Sequence, residues 1–162
     1  MYAYGYLPGI THSQGLRLTA LYQKQLLDDA IFDTGITSTL PRGLSERADL
    51  RDQILRYGYS AKLTADYAIP IYLGDFSIGP AFYGKRVILT PHFDYTFFKG
   101  GNLFSAGATL EIEFGCFFWI GTPINIGLTW SYNGGKSFDR FRSRGIDLNH
   151  HYIGPVVTFE LP

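Results

Sequence analysis

The sequence predicts an all-β protein, an antiparallel meander of about six strands that forms part of a transmembrane β-barrel. Three observations support this prediction: apolar and polar residues alternate over stretches of about ten residues, aromatic residues are abundant, and long and short connections alternate. Aromatic residues make up 17% of the chain, and charged residues also make up only 17%. Outward-facing apolar residues bounded by aromatic girdles are typical of outer-membrane barrels, whereas soluble domains carry about a quarter of charged residues.

The alternation is clearest between residues 57 and 71. One face of this segment carries Tyr57, Tyr59, Ala61, Leu63, Ala65, Tyr67, Ile69 and Ile71. The other face carries Gly58, Ser60, Lys62, Thr64, Asp66 and Ala68. Because successive side chains of a strand point to opposite faces, one side of this strand is apolar and the other is polar. In a soluble sandwich the apolar side packs on a second sheet, whereas in an outer-membrane barrel it faces lipid and the polar side lines the lumen.

The predicted elements follow one another as hairpins. Residues 2–6 resemble the end of a strand, and Pro8 and Gly9 predict a tight turn. Further strands are predicted at residues 15–25, 53–72, 78–98, 103–114 and 124–132, and a last strand runs through Ile153, Val157 and Phe159. Loops 26–51 and 133–149 are long, polar and without a predicted helix, whereas the connections at the opposite ends are short. Long loops on one side and short turns on the other are typical of outer-membrane barrels.

Six strands and a strand end are fewer than the roughly eight strands that a barrel needs in order to close. An open sheet in lipid would leave backbone groups unpaired. The N-terminus shows no secretory signal peptide, and no apolar run has the length of a membrane helix. We therefore expect residues 1–162 to be the C-terminal portion of a barrel domain and a fragment of a longer chain.

Several short motifs occur in a characteristic order. The first long loop contains Pro41-Arg42-Gly43-Leu44, and five predicted strands follow it. The next strands carry His92-Phe93-Asp94 and Ser105-Ala106-Gly107-Ala108, and the last strand carries Tyr152, Gly154, Val157 and Phe159. This order resembles the C-terminal part of the BamA/surface-antigen superfamily of outer-membrane β-barrels. The chain departs from the family pattern at Leu44, where an aromatic residue is usual, and at Thr96, where a glycine is common.

The resemblance implies that Arg42 and Gly43 lie at the tip of a loop that folds into the lumen and is fixed there by Asp94. A guanidinium group that is partly removed from water needs a carboxylate partner. The polar faces offer alternative partners for Arg42, namely Asp66, Glu111 and Glu113. The other interpretation is that Arg42 is a solvated turn residue. On the last strand, the resemblance implies a C-terminal assembly signal formed by Tyr152, Gly154, Val157 and Phe159.

By the same resemblance, the expected function is polypeptide insertion or translocation in the outer membrane of a Gram-negative bacterium, or anchoring of a surface or periplasmic domain there. The expected partners are the lipid bilayer, the barrel assembly machinery, and periplasmic or surface proteins. Two alternatives stay open. One is a passive pore or adhesin-like barrel that binds an external partner through its long loops. The other is a soluble β-barrel that binds an apolar ligand, with Tyr59 and Leu63 pointing inward.

The sequence does not predict an enzyme, a cofactor or a metal site. Glu111 and Glu113 are two residues apart on one face, as paired catalytic carboxylates can be, but a polar lumen wall is the preferred explanation. His150 and His151 point to opposite faces of a strand, which argues against a shared metal ion. The net charge is zero, so no nucleic-acid partner is expected. The single cysteine, Cys116, has no partner for an internal disulfide.

Overall fold

A computed structural model describes residues 2–8, 14–24, 39–45, 47–55, 58–71, 76–78, 82–116 and 123–159. Its strands are β1 (Tyr2–Pro8), β2 (Gly15–Lys24), β3 (Tyr59–Ile71), β4 (Phe76–Ile78), β5 (Phe82–Phe98), β6 (Gly101–Cys116), β7 (Pro123–Gly134) and β8 (His151–Phe159). Seven of them pair antiparallel in the order β1-β2-β3-β5-β6-β7-β8, and β4 pairs with β5. The predicted all-β antiparallel meander is confirmed, and the strand end predicted at residues 2–6 is β1. Within the described residues the sheet is open, because β1 pairs with β2 and β8 with β7 but not with each other.

The prediction that the first long loop lacks a helix was wrong, because this loop contains a 3-10 helix, Arg42–Leu44, and the helix α1 (Ala48–Leu55). Residues 53–55 belong to α1 rather than to the predicted strand, and β3 begins only at Tyr59. Leu50 and Ile54 lie one helical turn apart and are 0% and 1% exposed, so these two side chains are buried on the same side of the helix. The rest of the predicted loop, residues 26–38, lies outside the described residues, as do Tyr57, Gly9 and the predicted turn at residues 74 and 75.

The second long loop also contains a helix, α2 (Phe138–Ser143), which the sequence prediction missed. Phe138 and Phe141 are three residues apart and point to the same side, where both are buried. The helix ends in a Schellman motif, in which Gly145 has a φ of 87° and the N–H of Ile146 donates to the carbonyl of Phe141. In the described part of the chain, no helix is long and apolar enough to cross a membrane.

The main apolar core lies at one end of the sheet, between the β5–β6 hairpin tip and the two long loops. The two loops and the hairpin tip supply its side chains, which are Leu40, Leu44, Leu50, Ile54, Phe98, Leu103, Phe138, Phe141, Ile146 and Leu148. The ring centroids of Phe98 and Phe141 are 5.9 Å apart. This core holds both loops over one face of the sheet.

The covered face of the sheet is polar, and the uncovered face is apolar. Buried side chains on the covered face include Ser60, Asp66, His92, Asp94, Thr96, Ser105, Thr109, Ser131 and Asn133. The uncovered face exposes large apolar side chains, among them Leu18, Leu63, Phe93, Leu110, Leu128, Trp130, Ile153 and Val157. The exposed fraction of Leu63 is 52% and that of Leu110 is 50%, whereas Asp94 is fully buried. The usual polarity of a folded domain is therefore reversed over most of the sheet.

We predict that the loop-end core contributes much of the stability of the loops. Replacing Phe141 by Ala removes a fully buried ring and should lower the free energy of unfolding by about 3–5 kcal/mol. The matched control is Phe97→Ala on the uncovered face, where the side chain is 42% exposed and the loss should be less than half as large. Equilibrium urea unfolding of both variants measures the difference. Equal losses would mean that the core does not hold the loops.

Candidate functional site: the Arg42 loop on the polar face

The segment from Thr39 to Ser45, here called the Arg42 loop, crosses the polar face of the sheet. Two strand residues fix its first position. The hydroxyls of Thr39 and Ser60 are 2.6 Å apart, and the Thr96 hydroxyl donates to the Thr39 carbonyl. Pro41 has a φ of −58° and directly precedes the 3-10 helix. The loop is thus joined to β3 and β5 before it reaches Arg42.

Two leucines insert the loop into the apolar core. Leu40 and Leu44 are 1% and 3% exposed. The N–H of Leu44 donates to the Pro41 carbonyl at 2.9 Å, which closes the single 3-10 turn between them. Leu44 stands where the resembled family has an aromatic residue, and it occupies an apolar position here. Because the leucines hold both sides of the turn, Arg42 is directed toward the strands.

Arg42 contacts two buried aspartates. Its guanidinium Nη2 lies 2.7 Å from Oδ1 of Asp66 and 3.8 Å from Oδ1 of Asp94. Its backbone N–H donates to Oδ2 of Asp94 at 2.6 Å. The structure therefore brings Arg42 together with Asp94, the first predicted partner, and with Asp66, one of the alternatives. The guanidinium lies closer to Asp66, whereas Asp94 receives the main-chain hydrogen bond.

Two further cations complete the cluster, and the sequence analysis assigned a role to neither. Arg17 donates to Oδ2 of Asp66 from Nε at 3.0 Å and from Nη2 at 2.6 Å. Lys62 Nζ lies 3.5 Å from Oδ2 of Asp94. Three cations thus surround two carboxylates whose side chains are 4% and 0% exposed. Buried carboxylates need such partners, since a buried charge without a partner is strongly destabilising.

Gly43 is required by a close approach to β7. A Cβ atom at this position would overlap the side-chain amide of Asn133. The Asn133 Nδ2 group donates to the carbonyls of Gly43 and Asn149, at 3.3 Å and 3.2 Å. Asp94, Ser105 and Asn133 are neighbours across β5, β6 and β7. Arg42 and Gly43 therefore bridge from β5 to β7, and Asn133 joins both long loops to the sheet.

Two predicted alternative partners do not contact Arg42. Glu113 pairs with Arg86, and Oε1 of Glu111 accepts a hydrogen bond from the Thr158 hydroxyl at 3.3 Å. Both carboxylates lie on the polar face, further toward the short connections than Asp66 and Asp94. Glu111 and Glu113 are therefore separate from the Arg42 cluster.

The predicted C-terminal signal residues lie on β8. Tyr152 and Gly154 are on the polar face, and the Tyr152 ring occupies the space that a side chain at residue 154 would need. Val157 is on the apolar face and is 55% exposed. The backbone of Phe159 pairs with that of Ile124, but its side chain lies outside the described residues. The role of these residues as an assembly signal stays a prediction.

His92 lies beside the cluster, on the polar face of β5. Its Nε2 is 3.0 Å from the Ser131 hydroxyl, and the ring is buried. Among the residues that the structure describes, no three His, Cys, Asp or Glu side chains are placed to hold a metal ion. The arrangement around Arg42 consists of ion pairs and hydrogen bonds that fix a loop to a sheet.

We predict that removing the Arg42 side chain loosens the loop. Arg42→Ala leaves the Asp66 and Asp94 carboxylates with fewer cations, and a loss of about 1–2 kcal/mol raises the population of open loops about fivefold or more. Limited thermolysin digestion should then cut within residues 39–55 correspondingly faster. The control is Arg47→Ala, because Arg47 pairs at 3.3 Å with Asp147, which is highly exposed. Unchanged cleavage in Arg42→Ala would make Arg42 a simple turn residue.

We also predict that Gly43 and Asn133 are energetically coupled. Gly43→Ala should lower the free energy of unfolding by about 1–3 kcal/mol, because the new methyl group displaces the Asn133 side chain. In an Asn133→Ala background the same substitution should cost at least about 1 kcal/mol less. A double-mutant cycle from urea unfolding measures this coupling, and additive losses would show that the contact has no energetic weight.

Comparison with known proteins adds no family to these observations. No protein-family model, no curated protein and no solved structure matches this chain. The functional interpretation therefore depends on the two faces of the sheet and on the Arg42 loop.

Proposed function

We propose that this chain is the C-terminal portion of an outer-membrane β-barrel of the surface-antigen type, with the Arg42 loop fixed inside the lumen. Its apolar face would lie against the lipid bilayer, and its polar face would line the interior. The proposal places the chain in the outer membrane of a Gram-negative bacterium.

The observation that carries the proposal is the reversed polarity of the sheet. The apolar face has no Asp, Glu, Lys or Arg over residues 59–71, 87–97, 104–114 and 124–132 of β3, β5, β6 and β7. Contiguous exposed apolar surface of this extent marks a contact with lipid or with another apolar partner. Strands of 12 to 17 residues, the lengths of β3, β5, β6 and β7, exceed the roughly 9–11 residues that cross a bilayer when tilted.

Aromatic side chains near the loop end of the apolar face support the same interpretation. Tyr22 and Tyr59 stack with ring centroids 6.5 Å apart. Phe97, Trp130 and Tyr132 are 42%, 46% and 40% exposed on the neighbouring strands. Tyr and Trp are enriched where a membrane protein meets the bilayer–water interface. These residues would mark the interface below the two long loops.

The polar face supports a lumen that is partly filled by the chain itself. The Arg42 loop is held there by ion pairs with Asp66 and by a hydrogen bond to Asp94. The soluble alternative requires Leu63 and its neighbours to point into a dry interior, but Leu63 is 52% exposed on the uncovered face. This exposure favours the proposed membrane barrel over a soluble barrel with an apolar ligand.

For the role of the barrel, we propose insertion or translocation of polypeptides, or anchoring of a surface or periplasmic domain. No catalytic function is proposed. The partners would be the bilayer, the barrel assembly machinery, and periplasmic or surface proteins. A loop fixed inside the lumen by several cation–carboxylate contacts suits such a barrel, because it narrows the interior of the barrel.

The proposal is tested by placing a cation on either face of β6. Leu110→Arg puts a charge at a half-exposed position of the apolar face and should lower stability in lipid bilayers by about 2–4 kcal/mol if the residue lies near the midplane. Glu111→Arg puts the same side chain at the next residue of β6, on the polar face of the sheet, and should lower stability by less than about 1 kcal/mol.

Folding into lipid vesicles, followed by urea titration, gives both values. In a water-soluble fold the expectation for Leu110→Arg is different, because an exposed leucine tolerates a cation within about 0.5 kcal/mol. A chain that is monodisperse in plain buffer, with Leu110→Arg as stable as the parent chain, would overturn the membrane proposal.

A further inference from the structure

A cavity of about 560 Å³ lies on the polar face, next to the Arg42 loop. Arg17 and Arg42 line it at one side, and Thr90, Thr109, Glu111 and Asn125 are among its other lining residues. This volume is within the range of small-ligand sites, roughly 300–1,000 Å³. The cavity therefore has the size of a binding site, and its walls combine polar groups with apolar surface.

The cavity has hydrogen-bond donors at its Arg42 side. Arg42 uses Nη2 for its ion pairs with Asp66 and Asp94, whereas its Nε and Nη1 groups have no partner among the described residues. The side chain is 28% exposed, so these donors are accessible from the cavity. A guanidinium with free N–H groups binds carboxylates well, because its planar fork matches their geometry.

The cavity has acceptors further along the sheet. Asn125 is 8% exposed, and its Oδ1 atom has no hydrogen-bond partner within the described structure. Glu111 accepts one hydrogen bond, from Thr158, through Oε1. A buried acceptor without a donor is costly, at about 1–3 kcal/mol. A ligand that brings a donor to Asn125 would remove this cost, and Glu111 could accept a further hydrogen bond from the same ligand.

The register of the strands gives the separation of the two ends. Asp66, which binds Arg42, is level with His92 and Gly107. Glu111 follows Gly107 by four residues on β6, about 13 Å along the strand, and β6 lies two strand spacings, about 10 Å, from β3, so the backbone positions of Asp66 and Glu111 are about 16 Å apart. The side chains of Arg42 and Glu111 both line the cavity and shorten the distance that a ligand has to bridge. An extended tripeptide spans about 10–11 Å. Its charged termini could therefore approach Arg42 at one end and Glu111 at the other.

We propose that this cavity binds a short zwitterionic peptide. The terminal carboxylate would accept hydrogen bonds from Arg42, and the terminal ammonium group would donate to Glu111 and Asn125. The formal charges of the lining residues Arg17, Arg42, Asp66 and Glu111 sum to zero, which matches a ligand without net charge. The hydroxyls of Thr90 and Thr109 would be available to the peptide groups between the termini. The proposal goes beyond the membrane function and does not depend on it, since the cavity lies on the polar face.

The test is a calorimetric titration of the full chain with trialanine, in the detergent or buffer in which it is folded. Saturable binding is expected, and blocking either peptide terminus should weaken it about tenfold or more. Free alanine should also bind more weakly, because it is too short to reach both ends. Glu111→Gln should weaken trialanine binding by a similar factor, whereas Arg47→Gln, in an exposed pair remote from the cavity, should leave it unchanged.

The proposal would be overturned by any of three results. These are no saturable binding of trialanine to the folded parent chain, equal binding of the N-acetylated peptide, or equal binding by Glu111→Gln. Circular dichroism of each variant distinguishes loss of binding from loss of folding. If Glu111→Gln fails to fold, the acetylated and amidated peptides still decide the question on the parent chain.

Discussion

The arrangement of the covered face depends on two buried carboxylates. Asp66 and Asp94 lie on adjacent strands, β3 and β5, and their side chains are almost fully removed from solvent. Burial of a charge is unfavourable unless cations and hydrogen-bond donors surround it. The sheet supplies Arg17 and Lys62, and the Arg42 loop supplies a guanidinium and a backbone N–H. The position of the loop over the sheet is thus determined by what the two aspartates require.

Apolar packing and ion pairing act on the same short segment. Leu40 and Leu44 anchor the loop in the core with the rings of Phe98 and Phe141, and Arg42 lies between these two leucines in the sequence. The apolar contacts are non-directional, so they place the loop only approximately. The contacts of Arg42 and the close approach of Gly43 to Asn133 are directional and select one position. A loop held in both ways resists sliding along the strands as well as lifting off them.

The sequence was sufficient to predict the meander and the two faces of the sheet. The alternation of apolar and polar residues can be recognised even when the ends of the strands are uncertain. Through the family resemblance it also offered a carboxylate partner for Arg42, beside the interpretation of Arg42 as a solvated turn residue. It ranked Asp94 before Asp66, whereas the guanidinium lies closer to Asp66, because the actual partner depends on the register of three strands and on the path of a loop. Nor did it reveal α1 and α2, whose buried apolar side chains include the short pairs Leu50 and Ile54 and Phe138 and Phe141. Such short patterns do not distinguish a helix from an irregular loop.

The two faces of the sheet differ in where their stabilisation comes from. On the covered face, ion pairs such as Arg42–Asp66 and hydrogen bonds such as Thr109–Thr129 are made within the chain. On the other face, Leu63, Leu110 and Leu128 are half exposed or more, and no described segment of the chain covers them. Under the proposed function, the bilayer supplies the hydrophobic contribution of that face. The polar contacts within the chain, together with the apolar core at the loop end, then determine the shape of the interior.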